Sequence, residues 1–121
     1  MAEEKVYAVY IMANTRRGVM YTGVTSEMPT HGLQHREGLL EGFTKRWGLK
    51  RLVWFEWHGE IHAAIYREKL IKRWRRQWKF ALIEARNPNW VDLWPALMGQ
   101  EPYPWESEEE AARAGVLGGP G

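Results

Sequence analysis

Residues Val6 to His35 read VYAVYIMANTRRGVMYTGVTSEMPTHGLQH, and two short apolar runs within them decide how the chain folds. Val6 to Met12 and Val19 to Val24 are separated by Ala13-Asn14-Thr15-Arg16-Arg17-Gly18. A polar segment ending in Gly between two such runs predicts a β-hairpin with a longer loop. Each run carries a tyrosine, so Tyr10 and Tyr21 fall on neighbouring antiparallel strands. Gly23 lies two residues after Tyr21, where a missing side chain lets another group approach the sheet closely. The hairpin is therefore expected to form the floor of a site.

Working outward, 121 residues allow one core. Hydrophobic residues make up 45% of the chain, yet no apolar run approaches the ~18 residues a membrane span needs. The expectation is a soluble protein without membrane attachment. The charged start Met1-Ala2-Glu3-Glu4-Lys5 leads straight toward a strand and reads as neither a secretory signal nor a transit peptide. Cysteine is absent, which excludes disulfides and thiolate metal sites and fits a cytoplasmic setting.

Charge is unevenly distributed. Met1 to Pro95 holds 16 Lys and Arg against 10 Asp and Glu, whereas Ala96 to Gly121 holds one against five. A basic body suits a polyanion partner, because neutralising phosphates releases condensed counterions. Residues 1–95 are expected to form the folded domain, and 96–121 an acidic tail with Pro and Gly that is mostly disordered.

Past the hairpin, Pro29 suits the first turn of a short helix from about Pro29 to Glu37, ended by Gly38. Leu39 to Gly48 reads as a loop. Leu49 to Trp57 predicts a third strand, with Val53, Phe55 and Trp57 on one face and Leu52, Trp54 and Glu56 on the other. From Glu60 the period becomes helical to about Arg73; after a bend near Trp74 a second helix runs to about Arg86, where Asn87-Pro88 stops it. Trp90 to Pro95 is expected to pack back onto the body.

On the first of these two helices, Ile61, Ala64, Ile65 and Ile71 form an apolar stripe, and Glu68 stands within it. A carboxylate there persists only if it is paired, hydrogen-bonded or bound to a cation. Two readings stay open: an ion pair with Arg67, Lys72 or a distant arginine, or a ligand for Mg²⁺ or Mn²⁺, ions held by one or two carboxylates plus water and substrate phosphate. Tyr10 and Tyr21 likewise serve either as strand packing or as hydroxyls that orient or deprotonate a water. An ordinary tyrosine pKa of ~10 makes a poor base at neutral pH without a nearby cation.

His31 and His35 share a helix face at i and i+4 but lack the further carboxylate or thiolate a zinc site needs. His58-Gly59-Glu60-Ile61-His62 is not the zincin order. Arg67, Lys69, Lys72, Arg73, Arg75, Arg76 and Lys79, with Trp74 and Trp78 interleaved, have the composition of a nucleic-acid surface. On this reading the tryptophans anchor the two helices while the cations face phosphate, and Lys45, Arg46, Lys50 and Arg51 extend the patch.

Taken in order, Ala8-Val9-Tyr10, Tyr21-Thr22-Gly23, His35, Gly42 to Arg46, Lys50 to Val53, Arg67-Glu68-Lys69 and Asn87-Pro88 to Trp90 resemble the small bacterial single-domain members of the GIY-YIG endonuclease superfamily. The resemblance covers roughly the first ninety-five positions. It implies an α/β fold, a small three-stranded, mostly antiparallel sheet flanked by helices. It also implies a metal-dependent endonuclease that hydrolyses DNA phosphodiester bonds.

Carried over by position, Glu68 holds a single Mg²⁺ or Mn²⁺, Tyr10 and Tyr21 stand on the attacking-water side, His35 reaches phosphate or a tyrosine, and Asn87 plays a supporting part. Arg36, Lys45, Arg46, Lys69, Lys72, Arg73 and Arg76 are the expected DNA contacts. The family's phosphate-contacting arginine is replaced by His31. Histidine near its reference pKa of ~6.5 is mostly neutral at neutral pH and lacks the bidentate fork of arginine.

The alternatives are a catalytically inactive nucleic-acid-binding module and a protein-interaction domain whose acidic tail covers its own basic face. The expected partner is DNA, bound structure-selectively or non-specifically, with room for a helper protein that confers target choice. Composition fixes neither the oligomeric state nor the physiological substrate.

Overall fold

The computed structural model describes residues 6–26 and 49–106. Among them, three strands form one sheet in the order β2-β1-β3, antiparallel throughout: β1 Tyr7–Ala13, β2 Met20–Thr25 and β3 Arg51–His58. Three helices follow, α1 Ile61–Arg73, α2 Arg76–Glu84 and α3 Trp94–Leu97. This is the expected α/β architecture. The expected helix from Pro29 to Glu37 and the loop from Leu39 to Gly48 lie outside the described residues.

The apolar character of β1 follows from its central place, because both of its faces are covered. Val9, Ile11 and Ala13 meet Ala64 and Ile71 of α1, Ile83 of α2 and Trp90. Ala8, Tyr10 and Met12 meet Leu49, Leu52, Leu93 and Trp94 on the opposite face. A strand buried on both faces reads as a continuous hydrophobic run rather than an alternating one.

Strand β3 departs from simple alternation. Ile11 pairs with Trp54 but Met12 pairs with Leu52, so Val53 is an extra residue in a β-bulge. The bulge puts Val53 and Trp54 into the same core cluster and leaves Leu52 with Phe55 in the other. The expected grouping of Val53 with Phe55, and of Leu52 with Trp54, is corrected by this one inserted residue.

The hairpin loop is fastened from both sides. Val19 N–H donates to the Asn14 side chain at 2.9 Å, and a Cβ on Gly18 would collide with that same side chain, so Gly18 is needed for room. Arg17 takes the left-handed conformation at φ 55°. Its guanidinium donates twice to Glu84 of α2, at 2.9 Å each. Arg76 of α2 donates to the Arg17 and Gly18 carbonyls at 2.8 and 3.0 Å.

Helix α1 begins where Glu60 caps it, its carboxylate accepting from His62 and Ala63 N–H at 3.0 and 2.9 Å. Trp74 leaves the helical conformation and marks the expected bend. Regular α2 ends at Glu84, two residues before the expected Arg86, and the Arg86 and Asn87 N–H groups close a final turn on the Ile83 carbonyl. Leu93 N–H then donates to Leu52 O at 2.7 Å, and Asp92 accepts from Leu52 N–H at 3.0 Å, covering the first part of the outer edge of β3.

Packing continues past Pro95, where the sequence reading ended the domain. Ala96 is buried, and Tyr103 and Trp105 stack at 4.6 Å and pack on the Tyr10 side of the sheet. Two prolines and a glycine interrupt any period there, which hid these contacts from a pattern reading. Residues 107–121 lie outside the described region.

Candidate active site

Register brings the hairpin tyrosines together. Tyr10 stands opposite Gly23, and Tyr21 stands opposite Met12, so the two tyrosines are diagonal neighbours on one face. Their ring centroids are 6.3 Å apart. A Cβ on Gly23 would lie 2.5 Å from the Tyr10 hydroxyl. The group that approaches the sheet at Gly23 is therefore the Tyr10 ring itself.

Glu68 comes from α1, a helix that packs on β1 and β2. Its side chain is only 12% exposed, and Lys72 one turn later donates to it at 2.8 Å. The Lys72 ammonium also lies 5.7 Å from the centre of the Tyr21 ring. Burial raises the Tyr10 pKa well above the ordinary tyrosine value, with the charges of Tyr21 and Glu68 adding to it. Tyr10 thus holds its proton at neutral pH.

Four of the expected catalytic residues can be placed. Tyr10 and Tyr21 stand side by side, and Lys72 links Tyr21 to Glu68. Asn87 is buried and fully engaged: its amide donates to Val53 O at 3.0 Å and Val91 O at 2.9 Å and accepts from Val91 N–H at 3.1 Å. It clamps the bulged residue of β3 to the turn after α2. His31, His35, Arg36, Lys45 and Arg46 lie outside the described residues.

Among the expected DNA contacts, Lys69 and Arg73 are exposed, Lys72 is paired with Glu68, and Arg76 is engaged with the hairpin carbonyls. Arg67 is also engaged, donating to Glu56 at 3.0 Å and lying over Trp54 and Trp74. The expectation that both tryptophans anchor the helices holds in part. Trp74 is half-buried, but Trp78 is 54% exposed. Composition does not distinguish an indole turned inward from one turned out.

A family model described as the GIY-YIG catalytic domain matches residues 6–81. The chain belongs to the GIY-YIG family. The matched span runs from the start of β1 into α2 and contains Tyr10, Tyr21, Gly23 and Glu68. Family membership carries nuclease-type activity and DNA as the general partner. Comparison with curated proteins gives no match, and neither does comparison with solved structures. Among the described residues, no helix of this GIY-YIG domain is long and apolar enough to cross a membrane, and no three His, Cys, Asp or Glu side chains are grouped as a metal site.

Proposed function

We propose that this GIY-YIG domain is a metal-dependent endonuclease that hydrolyses DNA phosphodiester bonds. The observation that carries the reading is the pairing of Tyr10 with Tyr21 beside Gly23, with Lys72 linking Tyr21 to the carboxylate of Glu68. Glu68 fits a single divalent ion, because a largely covered carboxylate already accepts one cation, the Lys72 ammonium, at 2.8 Å. Mg²⁺ or Mn²⁺ held there supplies Lewis-acid stabilisation of charge on the phosphate.

The chain's own groups supply the rest. Tyr10, buried and protonated, donates a hydrogen bond and orients; it does not remove a proton. Tyr21, half-buried with the Lys72 ammonium 5.7 Å from its ring centre, is the second hydroxyl that orients an attacking water. Lys72 balances the charge of Glu68 and lies over the Tyr21 ring. His31 stands where the family carries arginine; removing such a transition-state donor typically costs ~3 kcal/mol, on the order of a hundredfold in rate.

The test is cleavage of supercoiled plasmid and a branched duplex in Mg²⁺ and Mn²⁺ by the native chain, Glu68→Ala and His31→Arg. The expected result is slow cleavage by the native protein, none by Glu68→Ala, and faster cleavage by His31→Arg. The second reading, an inactive nucleic-acid-binding module, is favoured by the histidine at the arginine position. Binding without cleavage by all three proteins would establish it in place of the first.

A further inference from the structure

From Lys69 to Ile83 the chain carries Lys69, Lys72, Arg73, Arg75, Arg76 and Lys79 and no acidic residue. Within this basic corner stands Trp78, 54% exposed. Leaving a large ring in water forgoes ~1.5–3 kcal/mol of burial, so a position that keeps one outward invites a reason. Its neighbours support the ring and leave more than half of it exposed. Trp74 meets it edge-to-face at 6.1 Å, and the Arg75 guanidinium lies over it, 5.8 Å from its centre.

The surroundings select the kind of partner. A wholly apolar surface docking on Trp78 would have to strip water from Arg75 and its neighbouring cations without replacing it. A nucleotide offers both required chemistries at once, a π-face for the indole and a phosphate for the cations. In duplex DNA the base faces are covered by their stacked neighbours, so only an unpaired base presents one. We propose that Trp78 is a stacking platform for an unpaired nucleotide of single-stranded DNA, with Arg75 and Lys79 holding its phosphate.

The platform adjoins the candidate active site through a row of contacts. Lys79 donates to the Lys72 carbonyl at 3.5 Å, and the Lys72 side chain reaches Glu68 and Tyr21. Lys79 is partly buried, with Arg76 and Lys72 as further positive neighbours, and its pKa is lowered accordingly. An arriving phosphate relieves that crowding. The inference rests on the DNA reading above and narrows its substrate to DNA with an unpaired stretch.

The test is fluorescence anisotropy with a labelled oligothymidylate and a blunt duplex of equal length, on the full chain, with circular dichroism confirming the fold of each variant. The native protein should prefer the single strand. Trp78→Ala should lose about tenfold or more for the single strand and less than about twofold for the duplex, while Trp78→Phe retains most of the affinity. Arg75→Gln and Lys79→Gln should weaken both ligands and flatten the salt dependence.

Single-strand affinity unchanged in Trp78→Ala, or an equal loss on both DNAs, would overturn the platform. So would Trp78-dependent binding to anionic phospholipid vesicles in place of DNA. If the duplex is bound and Trp78 is indifferent, only the platform falls. If the native protein binds neither DNA, the nuclease reading falls with it.

Discussion

At the scale of residues, Tyr10 and Gly23 form one unit, since the ring occupies the space a Cβ would take. Gly23→Ala should lower stability by ~1–3 kcal/mol through overpacking, outweighing the ~0.4–1 kcal/mol a Gly-to-Ala change gains from the unfolded chain. Denaturant unfolding measures the difference, and plasmid cleavage should fall with it as the tyrosines are pushed apart. The raised pKa of Tyr10 makes a second prediction. The folded state keeps this proton where the unfolded chain would release it near pH ~10, so its contribution is complete below that pH and is lost as pH rises beyond it. Stability against urea should fall above pH ~10 in the native protein, and the fall should be shallower in Tyr10→Phe. Sequence made this pair visible because a lone glycine two residues from a strand tyrosine is a distinctive spacing. Glu68 was visible for a related reason, as a charge interrupting an apolar stripe. The contacts of Asn87 were not, because an Asn before Pro reads as a helix stop wherever its amide points.

Among the elements, the least legible feature is the attachment of the hairpin loop to α2. Arg17, Arg76 and Glu84 are distant in sequence and look like surface charges, yet both guanidinium groups also lie over Phe80, at 5.2 and 5.0 Å. Glu84 additionally accepts from the Trp90 indole N–H at 2.7 Å. These hydrogen bonds, that from Arg17 foremost, lower the Glu84 pKa to about 2. For a carboxylate depressed in the folded state, the stabilisation is present above the unfolded value of ~4.3 and is lost as pH falls toward 2. Thermal unfolding between neutral pH and pH ~2 should therefore show a steep acid decline in the native protein. Glu84→Gln should start lower at neutral pH and decline less over that interval. An equal decline in both would assign the acid sensitivity elsewhere. The bulge in β3 was hidden on similar grounds, since one extra residue leaves composition unchanged while reversing which side chains share a face.

For the whole molecule, the sheet needs cover on both faces, and the two covers differ in origin. Helices α1 and α2 lie on one face and announce themselves by periodicity. The other face is covered in part by Leu93, Trp94, Leu97, Tyr103 and Trp105, a segment whose prolines conceal its role. Phe55 lies 5.9 Å from Tyr103, and Arg86 lies over Trp105 at 5.7 Å, so this cover reaches both β3 and the end of α2. Two truncations separate its contribution from that of the acidic end. Stopping the chain after Pro95 removes Tyr103 and Trp105 and should cost on the order of 3–5 kcal/mol, the scale of a large aromatic lost from a core. For a domain of this size that lowers the melting temperature by well over ~10 °C. Stopping after Glu106 leaves those rings in place and should shift melting by no more than ~2 °C, a change well under ~1 kcal/mol. It also removes Glu108, Glu109 and Glu110 against Arg113, raising the net charge by two. DNA affinity at low salt should then rise, and the gain should fade as salt increases. Equal melting of both truncated chains would show that the stacked rings add nothing to the fold. A gain in affinity that survives high salt would mean that residues 107–121 act by occupying the DNA surface and not through charge alone.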